Sequence, residues 1–453
     1  MADLIANKKD SASTMSRRGF TVLTSITVAI GGLLFGYDTA VISGAILFVR
    51  EQFHLSSVQT ELAVSIVLAG AFAGAAVGGY LGDLLGRRPA LALTAVTYGV
   101  FAFVTGAAHG LLPFVVARFF VGTAVGVSSM LTPLYIAEIA PADIRGALVT
   151  LNQLAITTGV VVAFYVDYLL AASGNWRWMF MSAVGPSIIL LVGLLFLPET
   201  PRWMATRGRF HEAWRILQRV EAPEEAERNL AELRRITEID RLKFRDLFAR
   251  RFRKPLLVGI GLAVFQQVTG VNTIIYYAPT IFQIAGFQSA SSAIFTTVLI
   301  GVVAWIATTV SLFLLDRIGR RPLLLASIAA MGLSLILLAV LLRAPQVSHL
   351  AIAIAVIAYI ASFAIGLGPV FWLLISEIYP TTIRAQAMSV ATVTIWAGDF
   401  LVTMTFLTLA ETIGMGGSFL VYAALCAAAL VFCLRFVPET KSRTLEEIEA
   451  SWR

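Results

Sequence analysis

The sequence predicts an all-α membrane protein: twelve transmembrane helices forming two pseudo-symmetric six-helix bundles, with short cytoplasmic helices between them. Three observations carry this expectation. The 453 residues are 58% hydrophobic and only 13% charged, with a mean hydropathy of +0.83, whereas a soluble chain carries about 25% charged residues. Apolar segments long enough to cross a bilayer, which takes about 20 residues, recur along the chain. The second half also repeats short signals of the first, in order.

The apolar segments fall at 20–49, 58–81, 90–108, 111–138, 147–171 and 177–197, then at 255–285, 290–315, 322–342, 349–376, 387–411 and 416–437. This divides the chain into an N-terminal tail (1–19), a first bundle (20–197), a polar linker (198–254), a second bundle (255–437) and a C-terminal tail (438–453). The first apolar stretch is too long for the core of a cleavable signal peptide. In the linker, RFHEAWRILQRV and PEEAERNLAELRRITEID space their apolar residues three and four apart, which predicts two or three short amphipathic helices. Pro223 followed by Glu224 and Glu225 marks one helix start.

Charge orients the chain. The net charge of +7 and pI near 9.6 reflect Lys and Arg in cytoplasmic loops rather than a nucleic-acid surface. With the N-terminus inside, the inner loops hold Arg17, Arg18, Arg87, Arg88, Arg145, Arg317, Arg320, Arg321 and Arg384, while the outer loops hold only Arg50, Arg177 and Arg343. Both termini are therefore expected in the cytoplasm. Cys426 and Cys433 lie seven apart in one apolar segment and read as small buried hydrophobes. The histidines fall in loops or at span ends, and no metal set, cofactor site or catalytic triad is expected. An enzyme is not the expectation.

Asp38 stands inside the first apolar run, and Arg118 inside the fourth. Asp38 lies eleven residues before the outer end of its span and Arg118 seven residues after the start of its own. At ~1.5 Å per residue the two reach similar depth. Charges inside a membrane need a partner, so the two are expected to pair. They would form either a proton switch or a permanent structural ion pair. Gln266, Gln267 and Asn272 in QQVTGVN offer donors and acceptors suited to a neutral polyhydroxy ligand. Tyr276, Tyr277 and Pro279 follow and mark a bend.

Four signals of the first half recur in the second. GDLLGRRP at 82–89 returns as LDRIGRRP at 315–322, IAEIAPADIRGA at 136–147 as ISEIYPTTIRAQ at 375–386, FLPETPR at 196–202 as FVPETKS at 436–442, and GYDT at 36–39 as GVNT at 270–273. The offsets, 233 to 240 residues, are nearly constant, as a duplication requires. Asn272 occupies the position matching Asp38, so only the first half holds the titratable group.

These motifs, with QQVTGVNTIIYYAP, resemble the sugar porter family of the major facilitator superfamily, and most of all its bacterial proton-coupled symporters of the xylose, arabinose and galactose type. The resemblance spans all but roughly the first fifteen residues. It implies the major facilitator fold, with the halves rocking around a central site. It implies a proton switch at Asp38 and Arg118, and a sugar site lined by Phe35, Gln153, Gln266, Gln267, Asn272, Tyr276, Tyr277, Trp372 and Trp396. It also implies a cytoplasmic gate, latched in the outward-open state, of Asp83, Arg87, Arg88, Glu138, Arg145, Glu199 and Arg202 in the first half. Its counterpart in the second is Asp316, Arg320, Arg321, Glu377, Arg384 and Glu439. Where the family often carries amides, this chain has Val160, Ala304 and Ile395, and Asp399 replaces a common Asn. Asp399 thereby joins the candidate binding residues, as a ligand contact, a second protonation site or a structural group.

The expected function is proton-coupled symport of a hexose or pentose, by alternating access across a bacterial inner membrane. The expected partners are sugar, proton and lipid, and the working unit is a monomer. A facilitated uniporter, which would have no need of Asp38, and a carrier of a polyol or inositol remain as alternatives. A sugar sensor would carry a longer signalling tail than PETKSRTLEEIEASWR.

Overall fold

The computed structural model of the chain describes residues 2–141, 143–237, 247–284, 286–287, 289–344, 348–380, 383–441, 443, 447–448 and 452, leaving out the side chains of 2–16, 236–237, 316 and 385. The first half comprises α1 (Ala2–Phe53), α2 (Ser57–Leu85), α3 (Arg87–Ala107), α4 (Leu111–Ile139), α5 (Arg145–Ala171) and a sixth span made of α6 (Trp176–Met181) and α7 (Val184–Phe196). Three short helices follow: α8 (Pro201–Thr206), α9 (Phe210–Val220) and α10 (Pro223–Thr237). The second half comprises α11 (Arg253–Val268) with α12 (Val271–Ile284), α13 (Ala290–Ile318), α14 (Arg320–Leu341), α15 (His349–Ile365) with α16 (Leu367–Ile378), α17 (Arg384–Ile413) and α18 (Met415–Phe436). Twelve of these units are long and apolar enough to cross a membrane, and no strand occurs among the described residues. The segment expected as an N-terminal tail belongs to α1, because no proline interrupts the chain between Ala2 and Phe53.

Local chemistry sets the helix ends. Ser56 accepts the Gln59 N–H at 3.3 Å while Gln59 Oε1 accepts the Ser56 N–H at 3.0 Å, a capping box that starts α2. Gly86 and Gly319, the glycines of the repeated GRR turns, adopt φ of 104° and 103°. That backbone is open essentially to glycine alone, so the repeat preserves the turn.

The tight seams of the first half follow from its glycines. A Cβ on Gly70 would stand 2.1 Å from the Phe119 carbonyl oxygen, and one on Gly122 would stand 1.9 Å from that of Val67. The α2 and α4 backbones therefore touch, as small residues allow in membranes. Gly36 and Gly159 do the same for α1 and α5.

Two spans are broken at mid-length. The sequence places a bend at Pro279, but the chain parts nine residues earlier, where Gly270 takes φ of 90° between α11 and α12. The freed Thr269 carbonyl accepts the Tyr359 hydroxyl at 2.8 Å. At the α15–α16 break, Ser311 Oγ donates to the Ile365 carbonyl at 2.6 Å and the Leu367 N–H donates to Ser327 Oγ at 3.0 Å. Irregular backbone at membrane depth persists only where such partners replace the helix bonds.

The linker helices build a small core of their own from Met204, Ala205, Ala213 and Ile216, flanked by Trp203, Phe210, Leu230 and Leu233. They dock on the first half: Trp203 Nε1 and an Arg207 Nη2 N–H each donate to the Asp83 carbonyl at 2.9 Å, at the end of α2. The apolar residues of α9 and α10 thus pack on α8 and on each other.

Candidate functional site

Asp38 and Arg118 pair inside the first half. Arg118 is wholly buried and its Nη1 donates to Asp38 Oδ1. The Arg118 Nε and Nη2 groups find no acceptor among the described residues, and the guanidinium lies 5.4 Å from the centre of the Phe180 ring. Such a contact attracts a cation, so Arg118 has a second anchor that does not depend on Asp38.

A second polar cluster lies in the other half. Asp399 Oδ2 accepts an Asn272 Nδ2 N–H at 2.8 Å and the Tyr276 hydroxyl at 3.1 Å, while Oδ1 accepts the Thr403 hydroxyl at 3.1 Å. Asn272 Nδ2 also donates to Gln267 Oε1 at 3.0 Å, and Gln267 Nε2 to Gln266 Oε1 at 3.3 Å. Gln266 Nε2 reaches the Gly368 carbonyl at 3.5 Å, beside the α15–α16 break. The broken span of α11 and α12 therefore gathers its amides beside the α17 carboxylate.

Aromatic groups from both halves meet between these clusters: Phe35 on α1 and Trp396 on α17 lie 5.3 Å apart. Gln153 on α5 is half-buried, and its amide makes no hydrogen bond among the described residues. Trp372 is 38% exposed and stands edge-on to Phe371. Tyr277 is not gathered with the amides. It lies about 100° from Tyr276 around the helix, donates to the Thr403 carbonyl at 3.4 Å and packs on Phe406.

The repeated charged motifs form two matching networks on the face that carries the chain ends. In the first half, Glu199 accepts the backbone N–H groups of Arg87 and Arg88, each at 3.1 Å, capping α3. The Arg87 guanidinium binds Asp83 at 2.8 Å and Glu138 at 3.2 Å, and Thr200 Oγ1 donates to Glu138 at 2.6 Å. In the second half, Glu439 accepts the N–H groups of Arg320 and Arg321 at 3.1 and 3.0 Å, Arg320 binds Glu377 at 3.1 Å, and Thr440 Oγ1 donates to Glu377 at 2.6 Å. Arg88 and Arg321 turn aside to the Leu194 and Leu434 carbonyls.

The expectation that all these charges face one another needs correcting. Arg145 gives its Nε N–H to the Ala140 carbonyl, capping the end of α4, and is in no ion pair among the described residues. Arg384 donates likewise to the Tyr379 carbonyl at the end of α16. Arg202 is exposed and in no ion pair among the described residues. The Asp316 side chain lies outside the described residues.

The matching glutamates differ in electrostatics. Burial raises the Glu199 carboxyl above the ordinary range, despite three backbone N–H donors. For Glu439 burial also acts upward, but the N–H groups of Lys441, Arg320, Arg321 and Thr440 outweigh it and the net shift is downward.

The Arg87–Glu138 and Arg320–Glu377 pairs each stay within one half. Hydrogen bonds join the halves at mid-membrane and toward the opposite face. Thr408 on α17 donates its N–H and hydroxyl to Glu61 on α2, Ser57 donates to Glu411, Ser65 to the Met404 sulfur, and Trp305 Nε1 to Thr158 at 3.1 Å. Tyr168 and Phe295, 5.2 Å apart, extend the seam between α5 and α13. The structure is therefore shut on the face away from its termini.

Three polar residues of this architecture escape the sequence reading. Glu61 stands near the edge of an apolar run. Asp167, fully buried in α5, accepts the Gly44 N–H at 3.1 Å and leaves Oδ1 without a partner. Asn152 on α5 has a buried, unpartnered Oδ1 close to Gly32 of α1. The signal for the two acids was the one that singled out Asp38, a carboxylate within an apolar segment.

Residues 24–452 match the family model described as sugar (and other) transporter. The chain is 39% identical to a D-xylose transporter of Levilactobacillus brevis, over 94% of each chain. It is 37% identical to the galactose-proton symporter of Escherichia coli, over 96% of this chain and 95% of that one. Among solved structures, the inward open conformation of the xylose transporter XylE from E. coli superposes with a TM-score of 0.83, at 32% identity, over 95% of this chain and 99% of that one. The proton:xylose symporter XylE bound to 6-bromo-6-deoxy-D-glucose gives 0.80, at 31% identity, over 96% and 100%.

Proposed function

The chain belongs to the sugar (and other) transporter family, and on that premise we propose that it moves a monosaccharide together with a proton across a bacterial cell membrane by alternating access. The family and the twelve-span fold point to a transporter rather than an enzyme. In this reading both termini are cytoplasmic, the bilayer surrounds a working monomer, and the state described here is inward-facing.

The observation that carries the proposal is the buried Asp38–Arg118 pair beside the Phe35–Trp396 contact between the halves. An ionised Asp38 holds Arg118. A proton on Asp38 removes the charge attraction, while the Phe180 ring keeps Arg118 in place. Asp38 is then free to change its contacts on α1, which also carries Phe35. Loading with proton and sugar would thus bias the same helix. Gln153, Gln266, Gln267 and Asn272 supply amides for sugar hydroxyls, and Trp372 and Trp396 supply rings for its C–H face.

The charged networks serve the cytoplasmic side. Glu199 and Glu439 hold helix N-termini, and Glu138 and Glu377 hold the arginines of the GRR turns. Each half then moves as a unit while the contacts between halves break and form.

The test is a pH electrode in a lightly buffered suspension of cells expressing the protein. Adding D-xylose, L-arabinose, D-galactose or D-glucose in turn makes the medium alkaline for the transported sugar. Uptake of sugar without alkalinisation would favour a uniporter and sink the symport reading.

A further inference from the structure

Asp399 is 2% exposed and has no cation beside it among the described residues, yet both its oxygens accept hydrogen bonds from neutral donors. Ionised, it can only accept. In that form it fixes its neighbour. Asn272 spends its Nδ2 hydrogens on Asp399 Oδ2 and Gln267 Oε1, at 2.8 and 3.0 Å. Turning the amide over would set the Asn272 oxygen against two acceptor oxygens. Asn272 is half-buried and its Oδ1 accepts nothing among the described residues. The same direction passes onward, since Gln267 Nε2 must then serve Gln266 Oε1.

We propose that Asp399 is a specificity-determining positioning residue, which turns the Asn272 amide so that its oxygen faces the ligand and demands a hydrogen-bond donor there. The ligand class this selects is a sugar or polyol with a free hydroxyl at that point, and a group that only accepts is rejected. An amide at 399 imposes no such rule, because it could donate to a reversed Asn272. This deepens the proposed sugar transport and rests on it.

The experiment takes the transported monosaccharide, found among D-xylose, L-arabinose, D-galactose and D-glucose, and measures competition by each of its monodeoxy and monofluoro analogues. Fluorine cannot donate, so at one ring position wild type should reject both analogues by roughly tenfold, the upper range for one hydrogen bond. In Asp399→Asn the fluoro analogue at that position should regain most of this loss. Thr403→Val, which removes a donor to Asp399 but leaves its acceptor character, should keep the wild-type ratio of fluoro to parent sugar even where uptake slows.

Wild type accepting every fluoro analogue as well as the parent overturns the inference, whether or not the variant folds. So does a functional Asp399→Asn with an unchanged ratio. If wild type takes up no monosaccharide at all, the transport reading itself falls, and this inference with it.

Discussion

Thr408 on α17 gives Glu61 on α2 two hydrogen bonds of 2.7 Å, one from its backbone N–H and one from its hydroxyl. A buried carboxylate thus ties the two halves together on the face away from the termini, where Ser57–Glu411 and Ser65–Met404 continue the seam. In an alternating-access cycle these bonds must break for the outer side to open.

Glu61→Ala should therefore favour the outward-open state. Cys426 and Cys433 are buried, so a cysteine introduced at Met404 can be followed by a membrane-impermeant maleimide. Labelling should be several-fold faster with Glu61→Ala than without it. Equal rates would mean that this carboxylate does not hold the seam shut.

The glycine contacts between α2 and α4 make a prediction about folding. A side chain on Gly122 has no space, since its Cβ would meet the Val67 carbonyl at 1.9 Å, whereas Gly185 in α7 has nothing within 4 Å. Overpacking a tight contact costs about 1–3 kcal/mol or more. Gly122→Leu should lose most of its monodisperse peak in detergent size-exclusion chromatography, and Gly185→Leu should retain it.

Glu199 and Glu439 should respond to pH in opposite senses. Glu439 is held below its ordinary value of 4.5, so its contribution is present above that pH and fades as pH falls through the lower, native value. Glu199 is raised, so its contribution is greatest below 4.5 and is lost as pH rises through the native value. In thermal unfolding in detergent, Glu439→Gln should therefore lower Tm more than Glu199→Gln at pH 7, with the gap narrowing toward pH 4.5. A constant gap would contradict the assigned environments.

Much of this was legible in the sequence because the membrane leaves few options. Twelve apolar runs give twelve spans, and the similar depth of Asp38 and Arg118 in theirs predicts the pairing that the structure shows. The repeated motifs also predicted two similar networks. What sequence could not give was direction around a helix axis and the place of the breaks. Gly270 looked like one more small residue in QQVTGVN, but its positive φ ends α11 and lets Asn272 turn toward Asp399. Arg145 and Arg202 looked like members of an ion network, yet Arg145 serves a helix end instead. Glu61 and Asp167 went unread because each lay near a span boundary, where an acid is cheap. Only the packing of α17 and α1 against them made them buried.

Coupling rests on Asp38. The direct measurement is radiolabelled sugar in proteoliposomes, with wild type and Asp38→Asn each assayed for uptake driven by an imposed proton gradient and for exchange at equal pH. Wild type should accumulate sugar against its gradient. Asp38→Asn should lose that accumulation but keep exchange, because the sugar site remains. Accumulation by Asp38→Asn at the wild-type level would contradict the account.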